Sequence, residues 1–175
     1  MDHLTLPELQ AGLEQIRRSP RDRGSVELIV ARPAEGEREL LEVGTLDETV
    51  GLIGDRWSDS DPRTQLTLTN ARVVALVAID PDRRALAGDQ LYVDLDLGGE
   101  NLPPGTRLSV GEAVIEVTDV PHTGCGKFIK RFGVDAQKFV NSPAGRELNL
   151  RGINARVITG GEVRVGDTIA KLAVG

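Results

Sequence analysis

The stretch LYVDLDLGGENLPPGTRLSVGEAVIEVTDV, residues 91–120, decides the fold class. Three runs in it, LYVDLDL, TRLSV and AVIEVTDV, alternate apolar and polar residues, and GGENLPPG separates the first two. Alternation with a period of two marks a strand with unlike faces, and glycine–proline clusters mark the turns between strands. Short strands in such close succession point to a barrel or sandwich and away from alternating βα units.

The flanks extend this pattern. SVELIVARP (25–33) reads as a strand, Pro33–Gly36 as a turn, and RELLEVG (38–44) as a returning strand. Residues 47–63 are turn-rich and read as an irregular loop. QLTLT (65–69) alternates as a strand, after which Asn70 can cap a short helix over ARVVALVA. Before all of these, Thr5 and Glu8 have capping-box spacing, and Leu6, Leu9, Leu13 and Ile16 recur at helical intervals, so an N-terminal helix is expected to run until Ser19-Pro20. On the C-terminal side INARVIT and EVRV flank Gly160-Gly161, which predicts a two-residue hairpin. Gly-Asp recurs at 54–55, 88–89 and 166–167 and is read as a turn entering a strand each time.

The chain has 175 residues, 39% hydrophobic and 27% charged, which suits one domain over residues 1–175 with its own core. No apolar run approaches the ~18 residues of a membrane span, and no secretory signal is visible at MDHLTLPELQ. A single cysteine excludes an internal disulfide and suits a reducing cytoplasm, the expected location.

The net charge of −6 argues against nucleic-acid binding. It is unevenly spread. Between Pro121 and Arg156, seven basic residues (Lys127, Lys130, Arg131, Lys138, Arg146, Arg151 and Arg156) face Asp135 and Glu147, a net +5 that leaves −11 for the rest. Inside that segment PHTGCGKF, residues 121–128, holds the only cysteine and one of two histidines. Gly124 and Gly126 free the backbone around Cys125 and remove neighbouring side chains, so a ligand could approach the sulfur. All three phenylalanines, Phe128, Phe132 and Phe139, follow within fourteen residues and can anchor the loop. His122, Lys127 and Arg131 are the nearest groups able to favour a thiolate. The residue types leave two alternatives, a reactive thiol or a small buried hydrophobe. Zinc lacks a ligand set with one Cys and two His, dithiol chemistry lacks a second thiol, and no phosphate-loop or dinucleotide motif is present.

Taken in order, GLIGDRW (51–57), QLTLTNAR (65–72), GEN (99–101), AVIEVTDVPHTGC (113–125), GRELNLRGINARV (145–157) and GGEVRVGDTI (160–169) resemble the MOSC domain, named for the C-terminal domain of molybdenum cofactor sulfurase. The resemblance covers roughly residues 46–169, with 1–45 expected to add a helix and strands to the same barrel. It implies a mainly-β, MOSC-like barrel with a few short helices. It further implies a role with molybdenum cofactor, in which Cys125 carries or transfers sulfur as a persulfide, or faces the molybdenum as a possible ligand. His122 joins Cys125 as a candidate catalytic residue. Lys127, Arg131, Arg146, Arg151 and Arg156 are candidates to hold the anionic pterin, and Asn101 ends the GEN loop.

Many relatives have histidine where this chain has Trp57, which departs from the pattern. Pyridoxal phosphate is not expected within the chain, so a sulfur-donor protein carrying that cofactor is an expected partner. Two alternatives stand beside the sulfur carrier. One is a molybdenum-cofactor-dependent reductase of N-hydroxylated compounds; the other is a non-catalytic module that binds an anionic ligand or a partner.

Overall fold

The structure is a computed structural model that describes residues 2–56 and 61–173. Trp57 and the middle of the 47–63 loop lie outside the described residues. The strands are β1 (Arg23–Ala31), β2 (Glu39–Leu41), β3 (Val43–Asp47), β4 (Gly51–Leu52), β5 (Leu66–Asn70), β6 (Leu91–Asp94), β7 (Arg107–Val110), β8 (Ala113–Val117), β9 (Ile153–Thr159), β10 (Gly161–Arg164) and β11 (Thr168–Lys171). Seven of them, in the order β1-β11-β7-β8-β9-β5-β6 and back to β1, form a mixed barrel with several short helices around it. Of the barrel and the sandwich that the strand pattern allowed, the observed architecture is the mainly-β barrel that the MOSC resemblance implied.

Closure depends on β1. One of its edges pairs with β6, while the other pairs with β11 at residues 23–25 and with β2 at residues 29–31. Neighbouring barrel strands are antiparallel except β5 and β6. A parallel pair needs a crossover. Here it is α3 (Ala71–Ala78), capped by the Asn70 side chain, followed by a 3₁₀ segment, Pro81–Ala87. Alternation then sorts the side chains. Leu91 and Val93 of β6 point into the barrel with Ile29 and Ala31 of β1, while Tyr92 and Val30 face outward into a second apolar layer. That layer is made with α1 (Leu6–Ala11), α2 (Leu13–Arg17), α3, α4 (Gly126–Phe132) and α5 (Val134–Val140), and it contains all three phenylalanines.

Three expectations need correction. The N-terminal helix keeps its Thr5–Glu8 capping box but divides at Gly12, where a Cβ would sit 2.7 Å from Leu76 Cδ2; close packing against α3 takes the place of continuity. The returning strand 38–44 splits into β2, which follows β1, and β3, which leaves for a separate three-stranded sheet, β10-β3-β4. Gly160-Gly161 is not a hairpin turn. β9 pairs with β5 and β8, β10 pairs with β3, and neither glycine has the positive φ a two-residue turn requires. Their small size serves close approach instead, since a Cβ on Gly160 would lie 2.8 Å from the Leu46 carbonyl oxygen and one on Gly161 would lie 2.8 Å from Glu112 backbone.

Candidate functional site

Cys125 follows β8 and a loop, residues 118–125, that is tied at three points. Asn154 Nδ2, from β9, donates to the Val120 carbonyl at 3.0 Å. His122 Nε2 lies 2.8 Å from Asp89 Oδ1. Asn141 accepts from the Gly124 amide at 3.0 Å and donates back to its carbonyl at 3.3 Å. The loop is thereby held to β9, to the start of β6 and to the end of α5. Beyond it Phe128 and Phe132 of α4 are buried edge to face, ring centroids 5.1 Å apart, as their i, i+4 spacing predicts.

The two glycines beside the cysteine do different work from that expected. Neither has a left-handed φ. A Cβ on Gly124 would crowd Val140 at 3.1 Å, so this glycine lets the loop lie against α5, whereas Gly126 has open space around it and leaves the sulfur approachable. Cys125 itself is exposed, which removes the buried-hydrophobe alternative. Partial burial raises its pKa, but the amides of Phe128 and Lys127 and the charges of Arg151 and Arg131 outweigh that, and the thiol lies below its ordinary value.

The sulfur stands on the wall of a cavity of about 330 Å³. Five arginines and a lysine line it: Arg32, Arg38, Arg56, Arg131, Arg151 and Lys127. Asp55 holds Arg32, Nε to Oδ1 at 3.0 Å, and Asp89 holds Arg151, Nη1 to Oδ2 at 2.7 Å. Lys127 meets Glu35 at 3.5 Å on the exposed rim. Among the described residues no carboxylate stands within ion-pair distance of Arg38, Arg56 or Arg131. The crowding is visible at Arg38, whose pKa is lowered by burial and then by the charges of Arg131, Arg32 and Arg56.

Asp89 organises the back of the cavity. It is fully buried, and burial alone would raise its pKa. The Arg151 charge and the His122 hydrogen bond overcome this and hold the carboxyl well below the usual carboxylate range. An ionised Asp89 can only accept, which makes His122 Nε2 the donor of their bond. Arg151 also donates Nη2 to the Ala87 carbonyl at 2.8 Å and lies over the Phe128 ring at 5.1 Å, while its buried Nε has no hydrogen-bond partner among the described residues.

Of the residues singled out by sequence, the cavity unites Cys125, His122, Lys127, Arg131 and Arg151. Arg146 borders a smaller neighbouring cavity of about 190 Å³ that shares His122 and Arg151 with the first, and its Nε donates to the Asn141 carbonyl. Arg156 is exposed on β9 and paired to Glu116 at 2.9 Å. Asn101 is buried elsewhere, donating to the Arg21 and Asp96 carbonyls and accepting from Lys171. Neither lines the cavity of Cys125.

Sequence reasoning missed Arg32, Arg38 and Arg56, which come from an N-terminal region whose net charge is negative, and it missed Asp89. The recurring Gly-Asp pair was the available signal: Gly54, Gly88 and Gly166 all have positive φ, as turns require, but two of the three aspartates are buried anchors of arginine. Among the described residues no group of three or more His, Cys, Asp or Glu side chains gathers to hold a metal, and no helix is long and apolar enough to cross a membrane.

The fold has known counterparts. A crystal structure of the YUAD protein from Bacillus subtilis matches with a TM-score of 0.63 at 16% identity, over 87% of this chain and 97% of that one. YiiM from Escherichia coli matches at 0.56 and 22%, over 86% and 71%. A crystal structure described as a hypothetical protein matches at 0.60 and 23%, over 87% and 69%. At these identities the likeness concerns fold alone. No curated protein matches in sequence. The family model of the MOSC domain matches residues 85–170, just under half of the chain, from the 3₁₀ segment beneath the arginines through Cys125 to β11, and over those residues the chain carries a MOSC domain.

Proposed function

We propose that the chain acts with the molybdenum cofactor, holding its anionic pterin in the cationic cavity and using Cys125 as a sulfur carrier. MOSC domains are associated with that cofactor in general. One observation carries the reading: an exposed cysteine of lowered pKa stands on the wall of a cavity in which Arg38, Arg56 and Arg131 have no carboxylate partner among the described residues. The fit is electrostatic. Guanidiniums crowded enough to lower the pKa of Arg38 are relieved by an anion, and arginine forks suit a phosphate. When bound, the cofactor supplies a phosphate-bearing pterin and a redox-active metal. Arg38, Arg56, Arg131 and Lys127 are the residues that would hold it, with Arg151 behind them.

The carrier step uses the chain's own atoms. The Cys125 thiolate attacks the outer sulfur of a donor persulfide, R–S–SH. A new S–S bond forms on Cys125, the donor's S–S bond breaks, and the donor leaves as R–S⁻ with no net oxidation. The thiol proton leaves to solvent before attack, because the Phe128 and Lys127 amides and the Arg151 and Arg131 charges favour the thiolate; His122, held by Asp89, lines the same cavity. The donor is external, a protein with a pyridoxal-phosphate domain or a small persulfide.

Incubation with a persulfide donor should add one sulfur, read by intact mass, to the wild-type chain and none to Cys125→Ser. A wild-type chain that never gains sulfur overturns the carrier. The same exposed sulfur also supports a second reading, in which Cys125 faces the molybdenum of a reductase of N-hydroxylated compounds. Stoichiometric molybdenum retained after purification from a cofactor-producing host favours that reading. Binding activity undiminished in Cys125→Ser, with neither sulfur nor metal on the wild type, leaves a non-catalytic anion-binding module.

A further inference from the structure

Four consecutive backbone carbonyls, residues 85–88, each accept a hydrogen bond from a different arginine. Arg38 Nε donates to Ala85 at 3.3 Å, Arg131 Nη1 to Leu86 at 2.9 Å, Arg151 Nη2 to Ala87 at 2.8 Å and Arg32 Nη1 to Gly88 at 2.6 Å. The four arginines come from four places: the end of β1, the turn before β2, α4 and the approach to β9. The carbonyls are those of the last turn of the 3₁₀ segment and its cap, where the segment itself leaves carbonyls under-used; Ala85 also accepts from the Gly88 amide at 3.3 Å. Each has a lone pair to offer a cation, and each takes only part of a five-donor guanidinium. Asp55 and Asp89 also hold Arg32 and Arg151, so Arg38 and Arg131 are the two of the four that line the cavity with no carboxylate partner among the described residues.

We infer that the carbonyl run of residues 85–88 is the positioning device that fans the guanidiniums around the cavity, and that Gly88 is the residue on which their placement depends. The inference rests on the reading that the cavity takes an anionic ligand. Gly88 closes the segment at φ 86°, and a Cβ there would stand 3.3 Å from Arg131 Nη1 and 4.0 Å from Arg38 Nη2. A Cβ at 88 therefore presses on the Arg131 guanidinium, the nearer of the two. Guanidiniums sorted in this way, with Arg38 and Arg131 lacking a carboxylate partner among the described residues, suit an anion with more than one charged group better than a single monoanion.

Inorganic pyrophosphate is the probe, with inorganic phosphate beside it, and binding is measured by calorimetry. Gly88→Ala should lose about tenfold in pyrophosphate affinity, the worth of roughly one charge-assisted hydrogen bond, and should lose its preference for pyrophosphate over phosphate. Gly166→Ala is the control. Gly166 has a similar φ of 92° with nothing near its Cβ position, so this variant carries the backbone strain without the intrusion and should bind both anions as wild type. Arg131→Lys keeps the charge but not the fork, and should also lose the preference; it serves should Gly88→Ala fail to fold. Wild-type binding and preference in Gly88→Ala, or in Arg131→Lys if that variant alone folds, overturns the positioning role and leaves the anion site standing. A wild-type protein that binds neither anion overturns the anion site, and the positioning role with it.

Discussion

Cys125 stands where a lone cysteine is least expected, exposed on a cavity wall and not buried in the core. Its pKa lies below the ordinary thiol value because neighbouring amides and the Arg151 and Arg131 charges outweigh partial burial. A lowered thiol pKa means that thiolate persists to lower pH. The rate of alkylation by iodoacetamide should therefore rise with pH through a midpoint below the ~8.5 of a free thiol. Arg131→Gln should move that midpoint up, and an unmoved midpoint shows the cations to be irrelevant to the sulfur. At this scale the sequence was informative. One cysteine between glycines, three residues after a histidine and amid basic residues, is a pattern whose chemistry can be argued from residue types. What it hid was Asp89, because a carboxylate after a turn glycine looks the same whether it meets water or a buried arginine.

Strand content was legible from alternation, and α3 from its Asn70 cap, since both are written in neighbouring residues. Pairing was not. Gly160-Gly161 has the composition of a hairpin, but its neighbours belong to different sheets, and only the Leu46 and Glu112 backbones explain why no side chain fits there. The same limit applies to the cavity, whose walls come from six separated segments. Asp89 binds three of these together: the start of β6, the loop through His122, and Arg151 ahead of β9. Asp89→Asn should cost about 3–5 kcal/mol in denaturant unfolding, because Arg151 is left buried without its counter-charge. The pH dependence has a definite sign. Asp89's carboxyl is held down by folding, so its contribution is complete above the unfolded value of about 3.9 and is lost as pH falls through the lower folded value. Wild type should thus lose stability more steeply than Asp89→Asn below that pH. Parallel acid-unfolding profiles for the two proteins contradict the arrangement.

For the molecule as a whole, charge is partitioned against the average. A chain of net −6 gathers five arginines and a lysine around one cavity, so an anion is repelled at long range and attracted at short range. Added salt screens exposed charges first. Pyrophosphate affinity should still fall about tenfold between 0.05 and 0.5 M salt, because the cavity is open to solvent and its attraction is ionic. Salt-independent binding would mean recognition by something other than these charges. The sequence located this charge only in residues 121–156, since Arg32, Arg38 and Arg56 join it through closure of the barrel alone.

That closure sets an order of assembly. Every cationic wall residue lies between Arg32 and Arg151, yet the barrel is sealed by β11, whose Ala170 meets Arg23 across nearly the whole chain. A nascent chain leaving the ribosome therefore carries the entire cationic lining before the strand that seals the barrel has been made. During that interval β1 has an unpaired edge at residues 23–25, and synthesis at roughly 5–20 residues per second sets how long it stays open.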